Sequence, residues 1–226
     1  TVEFPEDFSL PHEEIVQSGA RLVMIPNPNS PSGTLIQPEK IEALAREFDG
    51  ALLVDEAYAD FAETDCMGLA GKYPNLIVTR SLSKSYSLAG LRFGYCVAHP
   101  TLVDGLAKVK DSYNVSRLSA VGAAAALRDN EWMEKNAEKV KRTRRRLAEE
   151  LERLGFFCWP SQTNFIMARP PKGLEASEVY EELFERKVLV RYFDQPRLRG
   201  CIRISVGTDE EVDTLLKELS DIVGSD

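Results

Sequence analysis

Residues 81–95 read S-L-S-K-S-Y-S-L-A-G-L-R-F-G-Y, and what flanks them decides the fold. The preceding run, Leu76-Ile77-Val78-Thr79, is apolar and β-rich, the pattern of a buried strand. Lys84 therefore lies just past a strand end, among Ser81, Ser83, Ser85 and Ser87, with Arg92 further on. Ligands of α/β sheets gather at such strand ends. An amine there becomes a nucleophile toward a carbonyl when burial or a neighbouring cation lowers its pKa. The hydroxyls and the Arg92 guanidinium suit a phosphate. A phosphate beside a carbonyl-reactive lysine suggests pyridoxal phosphate. A solvated serine loop with one exposed lysine fits the same stretch.

Outward from it, strands and helices alternate. Residues 21–25 read as a strand that enters the loop Pro26-Asn27-Pro28-Asn29-Ser30-Pro31-Ser32-Gly33, whose prolines and glycine forbid regular structure. A helix follows, with Pro38 near its start and Ile41, Leu44, Ala45 and Phe48 on one face. Residues 51–54 are the next buried strand, ending in Asp55-Glu56, and residues 92–98 a further one. Residues 1–4 are expected as a short strand and 11–14 as a helical turn. The alternation indicates an α/β fold, a mostly parallel sheet flanked by helices. Asn27, Asn29, Asp55, Ser81 and Lys84 all fall at the carboxyl ends of its strands.

Residues 100–110 and 116–128 are helical by pattern, the second alanine-rich enough to be buried. Residues 131–154 form one long amphipathic helix closed by Gly155. Composition and period change there. Short strands at 156–157, 164–168, 188–191 and 201–206, with helices at 175–186 and 209–223, make a smaller α+β module. The expected division is residues 1–129 as part of a large domain and 130–226 as a small C-terminal domain, entered through the long helix.

Lys and Arg number 28 against 36 Asp and Glu, a net charge of −8, which argues against nucleic acid or an anionic membrane as partner. The basic run at 139–146 alternates with Glu134, Glu138, Glu149 and Glu150, so it reads as a solvated helix face. Cys66, Cys96, Cys158 and Cys201 match no metal spacing and are expected as buried free thiols, and His12 and His99 are too few for a histidine-rich metal site. No apolar run reaches membrane-spanning length and Thr1-Val2-Glu3 opens no signal peptide, so a reducing cytoplasm fits. The missing initiator methionine implies that something upstream has been removed.

Four stations line up along the chain: N-P-N-S-P-S-G at 27–33, D-E-A-Y at 55–58, S-L-S-K at 81–84 with L-R-F-G-Y at 91–95, and R-I-S-V-G-T at 203–208. In order and spacing they resemble the class I and II, fold-type I, pyridoxal-phosphate aminotransferases. Within that family, S-Y-N-V-S-R-L-S at 112–119 and K-V-L-V-R-Y-F at 187–193 resemble the histidinol-phosphate aminotransferase branch.

The resemblance implies a role for each station. Lys84 would condense with the cofactor aldehyde and carry a proton. Asp55 would face the pyridine nitrogen and keep it protonated; a helix cap is its structural alternative, with Glu56 as the exposed partner of either arrangement. Tyr58 would bond the cofactor's phenolic oxygen, or be an ordinary half-buried tyrosine. Ser81, Ser83 and Arg92 would hold the phosphate. Ser30 stands where the family usually has asparagine, so Asn29 takes over the ring-oxygen contact or Ser30 makes a weaker one. Arg203, between Ile202 and Ile204, would point away from them and grip the substrate's anionic group. Arg191 would join it on a substrate phosphate, with Tyr192 or Arg197 as competitors.

In the family, a glycine-containing phosphate loop, a ring-stacking aromatic, two sheet strands and a tyrosine given to the neighbouring subunit all lie upstream of this stretch. The chain thus resembles roughly the carboxyl-terminal two-thirds of a homodimeric enzyme. The implied reaction is transamination of histidinol phosphate with 2-oxoglutarate, a small-molecule amino donor and a 2-oxo acid. The rivals are another aminotransferase of this fold, a threonine-phosphate decarboxylase, a cofactor-binding module, or a fragment inert by itself.

Overall fold

The computed structural model describes residues 1–224. The chain forms two units, the first of residues 1–30 and 34–136, the second of residues 31–33 with 137 onward. Ser225 and Asp226, the end of the expected small domain, lie outside the described residues.

The first unit runs α1 (His12–Gln17), β1 (Leu22–Pro26), α2 (Pro38–Glu47), β2 (Ala51–Asp55), β3 (Leu76–Ser81), β4 (Gly94–Ala98), α3 (Pro100–Val109) and α4 (Arg117–Arg128), then the first turns of α5 (Asn130–Arg153). Its sheet has the order β1-β2-β3-β4. The first three strands are parallel, in a register that aligns Pro26 with Asp55 and Asp55 with Thr79. Their carboxyl ends therefore leave one edge together. The ladder continues past the strands, since Asn27 N–H donates to Asp55 O and Glu56 N–H to Thr79 O, each at 2.9 Å. Proline opens α2, where its missing N–H costs nothing. Ile41 and Leu44 of that helix close a core over Ile25, Leu52, Val54, Leu76 and Val78. Burying side chains of this size stabilises by about 1.5–3 kcal/mol each.

Three expectations change here, while the mostly parallel sheet stands. Residues 1–4 are not a strand; Val2 and Phe4 instead pack as partly buried side chains on the core, which needs no ladder. The strand expected from residue 92 begins at Gly94, because Arg92 takes a left-handed backbone, φ 51°, that no strand accommodates. It also runs antiparallel to β3. Helix α4 buries Ala123 alone, since alanine is as good a helix former on a surface as in a core.

The second unit holds the remainder of α5, then β5 (Phe157–Cys158), β6 (Phe165–Arg169), α6 (Ala176–Glu185), β7 (Arg191–Tyr192), β8 (Ile202–Ser205) and α7 (Asp209–Val223). Its sheet, β5-β6-β8-β7, is antiparallel throughout. Leu147 and Leu151 of α5, Val179 and Leu183 of α6, and Leu215 and Leu219 of α7 meet Ile166, Ile202 and Ile204 in one core. Gly155, at φ 86°, supplies the left-handed residue that ends α5. Thr208 and Glu211 form a capping box at the start of α7.

The strand expected at 188–191 shrinks to Arg191–Tyr192. Lys187 turns at φ 65° and Val188 N–H bonds back to Leu183 O at 2.8 Å, so closing α6 consumes those residues. The basic run of α5 is only partly solvated: Arg144 donates to Thr163 O, and Arg146 pairs with Asp209 and Asp213. Of the cysteines, Cys66 and Cys201 are buried, Cys158 is half-buried and Cys96, on edge strand β4, is exposed. Burial pushes the Cys66 thiol up to about 12, which makes it unreactive.

Candidate active site

The first unit gathers its chemistry at the carboxyl edge of β1, β2 and β3. Asp55 closes β2 and is exposed. Its Oδ1 accepts from the Thr79 hydroxyl and from Ala57 N–H, each at 3.2 Å. The carboxylate is thus held upright over the edge by the strand beside it, and the local turn bond coexists with that placement. Side chains alternate along a strand, so Glu56 goes to the opposite face. Expected as exposed, it is instead buried, 1% accessible, with Arg80 on its carboxylate at 2.9 Å.

Tyr58 is half-buried and precedes a 3-10 turn at Ala59–Phe61. Lys84 is exposed, and its Nζ lies 5.3 Å from the centre of the Tyr58 ring. The structure therefore brings the S-L-S-K lysine to the D-E-A-Y tyrosine. Ser81 Oγ accepts from Ser83 N–H at 3.1 Å, which curls the chain directly after β3. Arg92 is exposed, its Nη1 donating to Ala89 O at 3.1 Å.

In the proline loop, Asn29 is buried and its N–H donates to Thr34 O at 2.8 Å. Asn27 clasps Ile36 by both amide atoms, at 2.9 and 2.8 Å, which makes it a structural clamp. One amine, one carboxylate, one phenol, two hydroxyls and one guanidinium leave this edge. Such a set can hold a pyridine ring by its nitrogen and phenolic oxygen, bind a phosphate and capture an aldehyde.

The second unit places Arg191, the first residue of β7, directly opposite Arg203 of β8. Arg203 is half-buried while Ile202 and Ile204 are buried, the alternation expected. Both guanidinium groups lie against Phe193, at 5.3 and 5.5 Å from the ring centre, and Arg203 also lies 4.8 Å from the Phe165 ring. Like charges directly opposite on a sheet repel; aromatic faces offset part of that through cation–π attraction. The pair is suited to an anion that two guanidinium groups share.

Sequence reasoning missed Thr79, Arg80, Asp60, Phe165 and Phe193. Thr79 and Arg80 carried a signal: alternation from Asp55-Glu56 onto the neighbouring strand puts a hydroxyl beside the first acid and a guanidinium beside the second. The two phenylalanines carried none.

The profile of the family described as aminotransferase class I and II matches residues 7–219. Histidinol-phosphate aminotransferase 1 of Trichormus variabilis is 43% identical over 222 residues, which are 98% of this chain and 63% of that protein. Its counterpart in a Nostoc species is 45% identical over 216 residues, 96% of this chain and 61% of that one. The chain therefore spans somewhat less than two-thirds of the length of these relatives. The crystal structure of histidinol-phosphate aminotransferase from Sinorhizobium meliloti in complex with pyridoxal-5'-phosphate superposes with a TM-score of 0.88 at 29% identity, covering 100% of this chain and 64% of that one. A profile match across nearly the whole length, on a sheet whose motif residues leave one edge, decides the affiliation: the chain belongs to the class I and II aminotransferase family.

Proposed function

We propose that the protein transfers an amino group from histidinol phosphate to 2-oxoglutarate with pyridoxal 5'-phosphate as cofactor. The relatives' names favour this substrate. The observation that carries it is the cross-strand pair Arg191 and Arg203, both against Phe193. An ordinary amino acid needs one guanidinium for its carboxylate, whereas a phosphate dianion takes two.

The donor set of the first unit fits the cofactor. When bound, pyridoxal phosphate supplies an electron sink for the carbon that carries the substrate's amino group. Asp55 would hold the ring nitrogen's proton, with Thr79 keeping that carboxylate in place. Tyr58 would donate to the phenolic oxygen, with Asn29 flanking it. Ser81, Ser83 and Arg92 would bind the phosphate. Lys84 Nζ would be the covalent anchor of the cofactor and, once freed from it, would take the proton from the substrate carbon.

In the same reading, the first unit is part of the large cofactor-binding domain and the second is the small domain. Among the described residues no helix is long and apolar enough to cross a membrane, and we place the protein in the cytoplasm. We also propose a homodimer. Val97 of β4, Val109 of α3, and Leu118 and Val121 of α4 are exposed apolar side chains in one stretch of the first unit, and such surface favours a partner.

The test is an assay of the intact protein for glutamate formed from 2-oxoglutarate. Turnover is expected with histidinol phosphate and much less with histidinol. Absence of turnover with the phosphorylated donor would refute the substrate assignment.

A further inference from the structure

We propose that Arg80, with Ser85 and Asp60, positions the cofactor site from behind: it touches no ligand but fixes Asp55, Tyr58 and Lys84 relative to one another. This rests on the reading of the strand edge given under Proposed function.

Thr79 and Ser81 share the site face of β3, so Arg80 emerges on the other. There its side chain is 12% accessible, and all three guanidinium nitrogens are used. Nε meets Glu56 Oε2 at 2.9 Å, Nη1 meets Asp60 Oδ1 at 2.7 Å and Nη2 meets Asp65 Oδ2 at 3.0 Å. The acids reach further with their second oxygens. Glu56 Oε1 accepts from Cys66 N–H, and Asp60 Oδ2 accepts from the Ser85 hydroxyl.

The neighbours of these groups in sequence are the site residues. Glu56 follows Asp55, Asp60 lies two past Tyr58, Ser85 follows Lys84 and Arg80 precedes Ser81. One guanidinium on β3 thus holds the β2–β3 connection, which bears the D-E-A-Y station, and through Asp60 the loop after β3, which bears the S-L-S-K station. Side chains whose exact placement matters are commonly locked by such outer contacts.

Stability alone accounts poorly for the cluster. It sets three carboxylates around one guanidinium, mostly out of water, where desolvation consumes much of the attraction. Burial raises the Glu56 pKa, against the lowering pull of the Cys66 N–H and Arg80. A rigid, fully directed donor with three separate acceptors is instead what geometric registration needs.

The experiment is equilibrium titration of the intact apo protein with pyridoxal phosphate, followed by absorbance, with thermal unfolding of the same samples. Three variants are compared: Arg80→Lys, Ser85→Ala and Ser85→Thr. Ser85→Ala removes one hydroxyl and leaves the guanidinium in place, so it decides the matter even where Arg80→Lys fails to fold. Expected are a cofactor Kd weakened roughly ten- to a hundredfold in Ser85→Ala, the scale of one hydrogen bond to a charged group, and its recovery in Ser85→Thr. The loss of turnover should fall on kcat, with KM for the amino donor little changed. An unaltered Kd in Ser85→Ala overturns the positioning role. So does a weakened Kd that Ser85→Thr does not restore, or that is matched by a fall in the thermal midpoint. An unmodified protein that takes up no cofactor overturns the site reading itself, and this inference with it.

Discussion

The two units spend their apolar residues differently. In the second, α5, α6 and α7 share one core against the antiparallel sheet, and its charged pair is a small feature on a closed body. In the first, β1, β2 and β3 are covered by α1 and α2, but β4 is accessible along most of its length and α4 buries a single alanine. The second unit therefore reads as complete in its packing. The first pairs a well-built chemical edge with an apolar flank that calls for company. Reactive groups lie on the less self-sufficient unit, which suits a site that has to admit a cofactor and a substrate.

Mutations should separate the two characters. The largest effect is expected at the edge: Asp55→Ala should lower kcat of the intact protein a hundredfold or more, about the scale of losing one preorganised charge partner. Near-normal turnover in steady-state kinetics would remove Asp55 from the site. Next comes packing. Leu151→Ala, at a fully buried position of the second unit, should cost about 2–5 kcal/mol. Leu118→Ala on α4, 81% accessible in the single chain, should stay within about 0.5 kcal/mol under conditions where the protein is monomeric. Equal losses in urea unfolding would abolish the contrast between a closed and an open unit.

A smaller effect is expected at the arginine pair. Arg191→Ala should raise KM for histidinol phosphate roughly ten- to a hundredfold, as one charge-assisted hydrogen bond is worth about 1.5–3 kcal/mol. Aromatic and aliphatic amino donors should be little affected. A uniform rise for every donor would make Arg191 a general structural residue.

The smallest effect lies on the surface of the first unit. Glu42 accepts from the Tyr73 hydroxyl, Lys72 and Arg46, with the tyrosine the main cause, and these hold its pKa at about 2 against an ordinary 4.5. A depressed carboxylate stabilises above its unfolded pKa, and that contribution fades as pH falls from 4.5 toward 2. The difference in urea midpoint between the parent and Glu42→Gln should therefore shrink between pH 6 and about pH 3. A difference independent of pH would show that packing, not charge, is what Glu42 contributes.

Much of this was legible in the sequence. Periodicity located β1, β2, β3, α2, α5 and α7, and the strand-end rule put Asp55 and Lys84 on one edge. What escaped did so for physical reasons. The segment between β3 and β4 is long enough for either a crossover or a return, so the antiparallel sense of β4 was not written in its composition. Alanine content reports helix propensity and says little about burial, which is why α4 misled. Glu56 looked exposed because adjacent acids suggest solvent; its burial depends on Arg80, which faces it only after β2 and β3 pair. The Arg191 and Arg203 partnership was expected from the resemblance, and the register of β7 on β8 sets the two directly opposite; what the sequence did not show was the Phe193 ring against both.

The central claim is that the carboxyl edge of the first unit is a pyridoxal-phosphate site anchored on Lys84. Its most direct test is to incubate the intact protein with the cofactor, reduce with borohydride and map the modified peptide by mass spectrometry. The expected result is a cofactor adduct on Lys84 and no comparable adduct in Lys84→Ala. An adduct on Lys72, Lys108 or Lys110 instead, or labelling undiminished by Lys84→Ala, would contradict it.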